Sequence, residues 1–188
     1  MPVYNTHERH LNASPGEVGA LLDTLASDDD RLWPHGSWPA LFLDGPLAVG
    51  AAGGHGPVRY TVEEYVPGHR LRLRFGAPRG FDGFHEFTVR PDPRGGTVLA
   101  HLLAMRAHGP ALASWPLVFG PLHDALLEDL LDRAEIAVAG SVRTPARWSL
   151  WVRLLRALLG RGARTPAPSR TTPESRPSSE GRPAAADR

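Results

Sequence analysis

The sequence of 188 residues contains no cysteine and no lysine, and none of its apolar runs approaches the ~20 residues needed to span a bilayer. The absence of cysteine excludes a disulfide framework, a thiolate metal site and a cysteine nucleophile. The N-terminus has neither the basic start nor the apolar run of a signal peptide. We therefore expect a cytoplasmic protein, with association to a membrane surface as the alternative.

Charge divides the chain into two parts. Residues 1–140 hold 11 Arg against 17 acidic residues, a net −6, whereas residues 141–188 hold 10 Arg against 3 acidic residues, a net +7. No Val, Ile, Leu, Met, Phe, Trp or Tyr follows Leu159, so that stretch cannot bury enough surface to offset its ordering entropy. The sequence predicts a ligand-cavity domain over 1–140, an Arg-rich amphipathic helix over 141–160 and a disordered tail over 161–188.

The first two predicted elements are a strand, from its alternation of apolar and polar residues, and a helix, from the residues that mark its start. Residues 3–11 alternate as a strand does, and Ser14-Pro15-Gly16-Glu17 combines an N-cap, a proline at the first helical position and a capping box. Apolar residues at helical spacing continue this helix to Ala26. A second short helix is predicted from Ser27, with acids in its first turn, ending before Pro34.

A change to period-two alternation after Trp38, with turn signals at short intervals, predicts an antiparallel meander. In the segment 70–75 all three arginines lie on one face and the apolar residues on the other, so one face of the sheet must be covered. The predicted strands are 40–44, 59–66, 70–75, 81–90 and 97–107.

A long helix over about 110–139 is the predicted cover. It has an apolar stripe and, opposite to it, an acidic one. Pro116 and Pro121 delay or kink its start, and Gly140 is a natural stop. The acidic stripe consists of Asp124, Glu128, Asp132 and Glu135.

This order of elements resembles the helix-grip fold of the START-like, or SRPBCC, superfamily. The resemblance rests on the strand-to-helix junction at 13–18, the strand-turn-strand at 62–71, the segment 84–89 and the final long helix. It implies an α+β domain in which a curved antiparallel sheet wraps around a long C-terminal helix, with two short helices after the first strand. It further implies that a hydrophobic or amphipathic small molecule is held between sheet and helix. The superfamily has no shared catalytic residues, so none is carried over.

Alternation places a mostly apolar set, with three histidines, on the covered side of the sheet and long helix. Three interpretations of these histidines remain open. They are buried residues with no functional role, they orient a ligand, or they act as general acids or bases in a polyketide cyclase. The predicted ligand-binding residues are Tyr60, His85, Phe87, Leu99, His101, Leu103, Trp115, Phe119 and His123.

The glycine-rich segment 50–56 is predicted to be a loop at the cavity mouth, with Trp38, His55 and Arg59 near the entrance. It is not a phosphate loop, because it lacks the Lys-Ser/Thr pair and a strand pattern follows it. No cofactor is expected. No metal site is expected either, because no histidines have the i, i+4 spacing of a helical ligand pair.

The second helical pattern, over 148–159, carries tryptophans, leucines and arginines, and the predicted membrane or partner contacts are Trp148, Trp151, Arg153, Leu155 and Arg156. It either docks on the domain or a second copy, with its arginines on the acidic stripe, or binds an anionic membrane surface. No nucleic acid is expected as a partner, since no reading motif accompanies the charge.

Three functions remain open from the sequence: binding or transport of a lipid or polyketide-like molecule, a cyclase or dehydratase-type enzyme, and a non-catalytic module at a membrane. The sequence does not decide whether the protein is an enzyme, or whether it forms a homo-oligomer.

Overall fold

The computed structural model describes residues 1–162, with side chains up to Leu159. The predicted disordered tail lies, from residue 163 onward, outside the described residues. None of the helices in the described part of the chain is long and apolar enough to cross a membrane.

Seven strands form one antiparallel sheet, as the sequence predicted for the fold class, in the order β1-β7-β6-β5-β4-β3-β2. Strand β1 therefore pairs with β7, although almost the whole domain separates them in the chain. The strands are β1 (Pro2–Leu11), β2 (Phe42–Leu43), β3 (Ala52–His55), β4 (Val58–Val66), β5 (Arg70–Ala77), β6 (Phe81–Pro91) and β7 (Thr97–Ala107).

Four α-helices accompany the sheet: α1 (Pro15–Asp23), α2 (Ala111–Ser114), α3 (Gly120–Ala139) and α4 (Leu150–Gly162). The capping box of Ser14 and Glu17 is present at the start of α1. A π-helical turn, Trp115–Phe119, joins α2 to α3 without a break, so the long helix accommodates Pro116 by widening locally. Gly140 ends α3 in a left-handed conformation, as predicted, with its N–H on the Ile136 carbonyl.

Two local predictions are wrong. No second short helix follows Ser27, because Ala26 turns into the left-handed region and Asp30 accepts hydrogen bonds from the backbone N–H groups of Leu32 and Trp33, at 2.9 and 2.8 Å, which makes a series of turns. The segment 50–56 is not a loop throughout, because Ala52–His55 pairs with β4 as β3.

The core lies between the concave face of the sheet and the helices α1 and α3. Leu71, Leu99 and Leu103 from the strands are fully buried, as are Leu127 and Leu130 from α3. The alternation of Arg70–Phe75 thus has the predicted consequence, since its leucines face this core and Arg72 and Arg74 pair with carboxylates of the neighbouring strands on the outer face.

Glycine at position 19 is required by packing. A Cβ on Gly19 would lie 2.7 Å from the Cα of Gly68, in the turn before β5, whereas a Cβ on Gly16 in the same helix would meet nothing within 4 Å. Gly19→Ala should lower the free energy of unfolding by about 1–3 kcal/mol, although alanine is the better helix former. Gly16→Ala is the matched control and should be neutral or stabilising. Urea unfolding of both variants checks this, and equal effects would contradict it.

Candidate functional site

Five histidines lie in a row through the interior between the sheet and α3. Three of them come from adjacent strands: His101 on β7 lies opposite His7 on β1, and it is diagonal to His85 on β6. The His101 ring lies 5.1 Å from that of His123 on α3, and His123 lies 6.0 Å from His7. His55 continues the row through Tyr60, whose ring is 5.0 Å from His85.

His85 and His101 form a directly bonded pair. Nδ1 of His85 and Nε2 of His101 lie 3.2 Å apart, so that one imidazole donates to the other. Both side chains are buried, and burial, reinforced by the charges of neighbouring histidines, lowers the pKa of each well below its ordinary value of 6.5. Both rings are therefore neutral at pH 7.

The remaining nitrogens of this cluster lack partners. Nε2 of His85, Nδ1 of His101 and both ring nitrogens of His123 are buried, and none has a hydrogen-bond partner among the described residues. Buried polar groups in folded proteins are nearly always bonded, and leaving one unpaired costs about 1–3 kcal/mol. Four such atoms in one place therefore require an explanation.

Aromatic rings surround the histidines and keep their environment apolar. Phe75 stacks on His85 at 5.1 Å, Phe87 meets His101 edge-on at 4.6 Å, and Trp115 lies 5.8 Å from His123. Neutral imidazoles in such surroundings offer strong hydrogen bonds to a polar group and are suited to accepting a proton.

A second polar feature, the β1–α3 seam, was not anticipated from the sequence. The inward side chains of β1 contact the acidic stripe of α3: Asn5 donates to Asp124 at 2.8 Å, His7 bonds Glu128 at 2.8 Å, and Arg9 bonds Asp132 and Glu135 at 2.9 and 2.8 Å. The signal was present in the strand alternation Asn5, His7, Arg9, which matches acids one helical turn apart.

Contacts across the seam shift the pKa values of His7 and Asp124. Burial alone would lower the pKa of His7, but the hydrogen bonds and charges of Asp124 and Glu128 outweigh it and raise that pKa. Burial would raise the pKa of Asp124, but the neighbouring His123 and the hydrogen bonds from His7 and Asn5 outweigh it and lower the pKa of this carboxyl.

The predicted ligand-binding residues all lie at the sheet–helix interior. His123 and Phe119 are partly buried on the long helical run, and the other members of the set are buried. Two pockets among the described residues have volumes of about 340 and 380 Å³; the first is lined by Arg59, Tyr60 and Thr61, and the second by Tyr4 and Phe84.

The three predicted mouth residues differ in their surroundings, although His55 and Arg59 are neighbours on the β3–β4 hairpin. His55 faces the interior, with its ring 4.9 Å from Trp33, whereas Arg59 is exposed and donates to the Gly56 and Val58 carbonyls at 2.7 and 2.8 Å. Trp38 contacts α3, where its indole N–H donates to Asp129 at 2.7 Å.

Comparison with protein-family models gives no match, and comparison with curated protein sequences gives none either. Solved structures do share the architecture. A norcoclaurine synthase point mutant from Thalictrum flavum, in complex with a transition state analogue, is 16% identical, with a TM-score of 0.56 over 74% of this chain and 96% of that chain. The Aha1 dimer from Colwellia psychrerythraea is 17% identical, with a TM-score of 0.52 over 72% and 98%. CalU16 from Micromonospora echinospora is 15% identical, with a TM-score of 0.52 over 86% and 84%.

The chain shares the helix-grip fold with these solved structures. This confirms the fold that the sequence resemblance implied. At these levels of identity the likeness establishes the fold alone, so the function of this helix-grip domain depends on its own residues.

Helix α4 docks on the helix-grip domain through a tryptophan cage. The indole N–H of Trp148 reaches both Asp129 carboxylate oxygens, at 3.1 and 3.0 Å, beside that of Trp38. The Arg156 guanidinium lies 4.4 Å from the Trp38 ring and 4.1 Å from the Trp148 ring, which gives a cation–π contact on each.

The other residues predicted as membrane or partner contacts divide between the two sides of α4. Leu155 is buried against the domain, whereas Arg153 is exposed. Trp151 is exposed in part, with its indole N–H on the Leu117 carbonyl at 2.8 Å. Before the helix, Arg143 bonds Glu135 at 3.0 Å, so one arginine of this segment does meet the acidic stripe.

His55 should make stability depend on pH. Burial, with smaller effects from His123 and Arg59, lowers its pKa to about 4, whereas the unfolded chain titrates near 6.5. Between these values the unfolded state binds the proton and the folded state does not, so stability falls as pH falls from 6.5 to 4, by up to about 3 kcal/mol.

His55→Phe should reduce this dependence in urea unfolding between pH 7 and pH 4, while His85 and His101, whose pKa values are also lowered, keep a slope of the same sign. The exposed His108, changed to Phe, is the control and should keep the original slope. An unchanged slope in His55→Phe would contradict the assignment.

Proposed function

We propose that this protein binds a small, mainly apolar molecule with at least one hydrogen-bonding group, between the sheet and α3. His85, His101 and His123 would supply the polar contacts. One observation carries the proposal: four buried ring nitrogens of these three residues have no hydrogen-bond partner among residues 1–159.

The chemistry of the interior fits such a molecule. Rings of Tyr60, Phe75 and Phe87 flank the histidines and suit an apolar framework. A few polar groups in an apolar site are how pockets fix the orientation of a ligand. The norcoclaurine synthase that shares the fold is itself in complex with a small molecule, a transition state analogue.

Binding must displace side chains. His85 and His101 are buried and in contact with aromatic rings, so a ligand that enters between them has to move side chains. Part of the gain from the new hydrogen bonds is spent on that rearrangement, which favours a modest affinity and a ligand of limited size.

Replacement of His85 and His101 by Leu tests the proposal. The double variant should lose any molecule that native mass spectrometry finds on the unsubstituted protein, and should bind anilinonaphthalene sulfonate at least tenfold more weakly. Its thermal midpoint should rise, because unpaired polar atoms are replaced by apolar ones, so the loss cannot be ascribed to unfolding.

The double variant His69→Leu and His108→Leu is the matched control, since both of these histidines are exposed. It should keep the affinity for the dye. Equal dye binding by the two double variants, together with no bound molecule in the unsubstituted protein, would overturn the proposal.

A cyclase or dehydratase-type enzyme is the alternative that the bonded His85–His101 pair favours, since a neutral imidazole with a second imidazole behind it can act as a general base. The molecule identified by mass spectrometry serves as the substrate. Turnover that is lost in His101→Leu while affinity is retained would indicate the enzyme.

We further propose contact with an anionic membrane surface through the outer face of α4. Leu150, Leu154 and Leu158 line this face and are 82%, 48% and 55% exposed. Residues 141–159 contain four arginines and no acidic residue. A helix with exposed leucines beside positive charge is typical of interfacial binding.

Flotation with vesicles of phosphatidylcholine and phosphatidylserine tests this contact. Leu154→Glu with Leu158→Glu should abolish flotation, because carboxylates on this face oppose both burial and the negative lipid. Val49→Glu, an exposed change in the loop before β3, is the control and should float like the unsubstituted protein. Flotation of the double variant at the level of the control would exclude this face.

A further inference from the structure

Three potential metal ligands meet where the histidine row reaches the β1–α3 seam. His7 comes from β1, and His123 and Asp124 are adjacent on α3. The ligand atoms that these side chains offer all lie within 4.8 Å of one another. Two imidazoles and one carboxylate form the donor set of zinc sites that keep a coordination position open.

We infer that His7, His123 and Asp124 bind a divalent transition metal ion, Zn²⁺ being the best match to the donors. In a tetrahedral site with ligand bonds of about 2.0–2.1 Å, neighbouring ligand atoms lie about 3.3 Å apart. His7 Nε2 lies 3.2 Å from Asp124 Oδ1, and His123 Nδ1 lies 3.7 Å from the same oxygen. Both separations are close to the tetrahedral value, and the nitrogens of His7 and His123 lie within 4.8 Å of each other.

The surroundings already orient these ligands. His7 Nδ1 lies 2.8 Å from Glu128 Oε1, so the ring donates there and Nε2 points toward Asp124, where a metal ion would replace the proton of the Nε2–Asp124 hydrogen bond. Asn5 donates to Asp124 at 2.8 Å and holds that carboxylate in place. A carboxylate behind a metal-binding histidine is the usual arrangement of such sites.

An ion pair between His7 and the two carboxylates explains only part of this cluster. It accounts for His7, Asp124 and Glu128, but it leaves both buried nitrogens of His123, and the buried Oδ1 of Asn5, without a partner in the described part of the chain. A metal ion bound by His123 would supply the missing partner for one of these nitrogens. Access is available, because Asp124 and Glu128 are about half-exposed.

Titration calorimetry with Zn²⁺ on the full chain, after removal of metals with a chelator, tests the inference. One ion should bind per chain. His7→Gln and Asp124→Asn should each weaken binding at least tenfold, and Glu128→Gln should do so by about 10–100-fold, as loss of an orienting partner does. Co²⁺ should give the visible absorption bands of a tetrahedral site, which the His7 and Asp124 variants lose.

His10→Gln is the matched control, because His10 lies on the same strand and also bonds a carboxylate, that of Asp92. It should bind Zn²⁺ like the unsubstituted protein. The double variant His85→Leu and His101→Leu should also keep Zn²⁺ affinity, which separates this inference from the proposed ligand site. Absence of stoichiometric binding, or equal affinity in His7→Gln and His10→Gln, would overturn the metal site.

Discussion

The arrangement of this domain depends on one contact: α3 packs both its apolar stripe and its acidic stripe into the fold. Leu127 and Leu130 contact the core, while Asp132 and Glu135 are held by Arg9 from β1. Because β1 closes the sheet beside β7, the strand that carries the cations lies directly along the helix that carries the acids. The polar seam and the apolar core together hold the helix against the sheet, and they bring His7 and His123 to one place.

The interior departs from a simple apolar core in a specific way. A seam in which acids meet cations and amides loses little by burial, since most of its polar atoms are bonded. The histidine cluster beside it is different, because His85, His101 and His123 keep unpaired nitrogens in apolar surroundings. Folded proteins seldom leave buried polar atoms unpaired unless those atoms have a function, because each one lowers the stability of the fold. Both the ligand proposal and the metal inference start from this imbalance: they share His123, whereas His85 and His101 belong to the ligand site and His7 and Asp124 to the metal site.

At helix α4 the basic part of the chain meets the acidic part, and the two are held together at the tryptophan cage. Asp129 on α3 accepts from Trp38 and Trp148, and Arg156 lies over both rings, so a partly buried aromatic cage rather than a set of surface ion pairs fixes the helix. Exposed ion pairs contribute little, whereas a cation on two aromatic faces contributes more when partly buried. With its inner side engaged in this way, α4 leaves a row of leucines on its outer side.

The sequence by itself determined the strands of the meander, the capped start of α1, the long helix and its stop at Gly140, and the inward positions of His85 and His101. These features follow from periods of two and of about 3.6 residues and from local capping, which neighbouring residues decide. The turns after Ser27 were not predicted, because the Asp30 side chain accepts hydrogen bonds from the backbone N–H groups of Leu32 and Trp33 that a helix would have used. Only the tertiary structure decided that aromatic rings pack around the histidines, that α4 docks through Asp129, and that His7 joins the cluster. His7 and Asp124 are 117 residues apart, and their meeting depends on sheet order and helix placement, which no local pattern encodes.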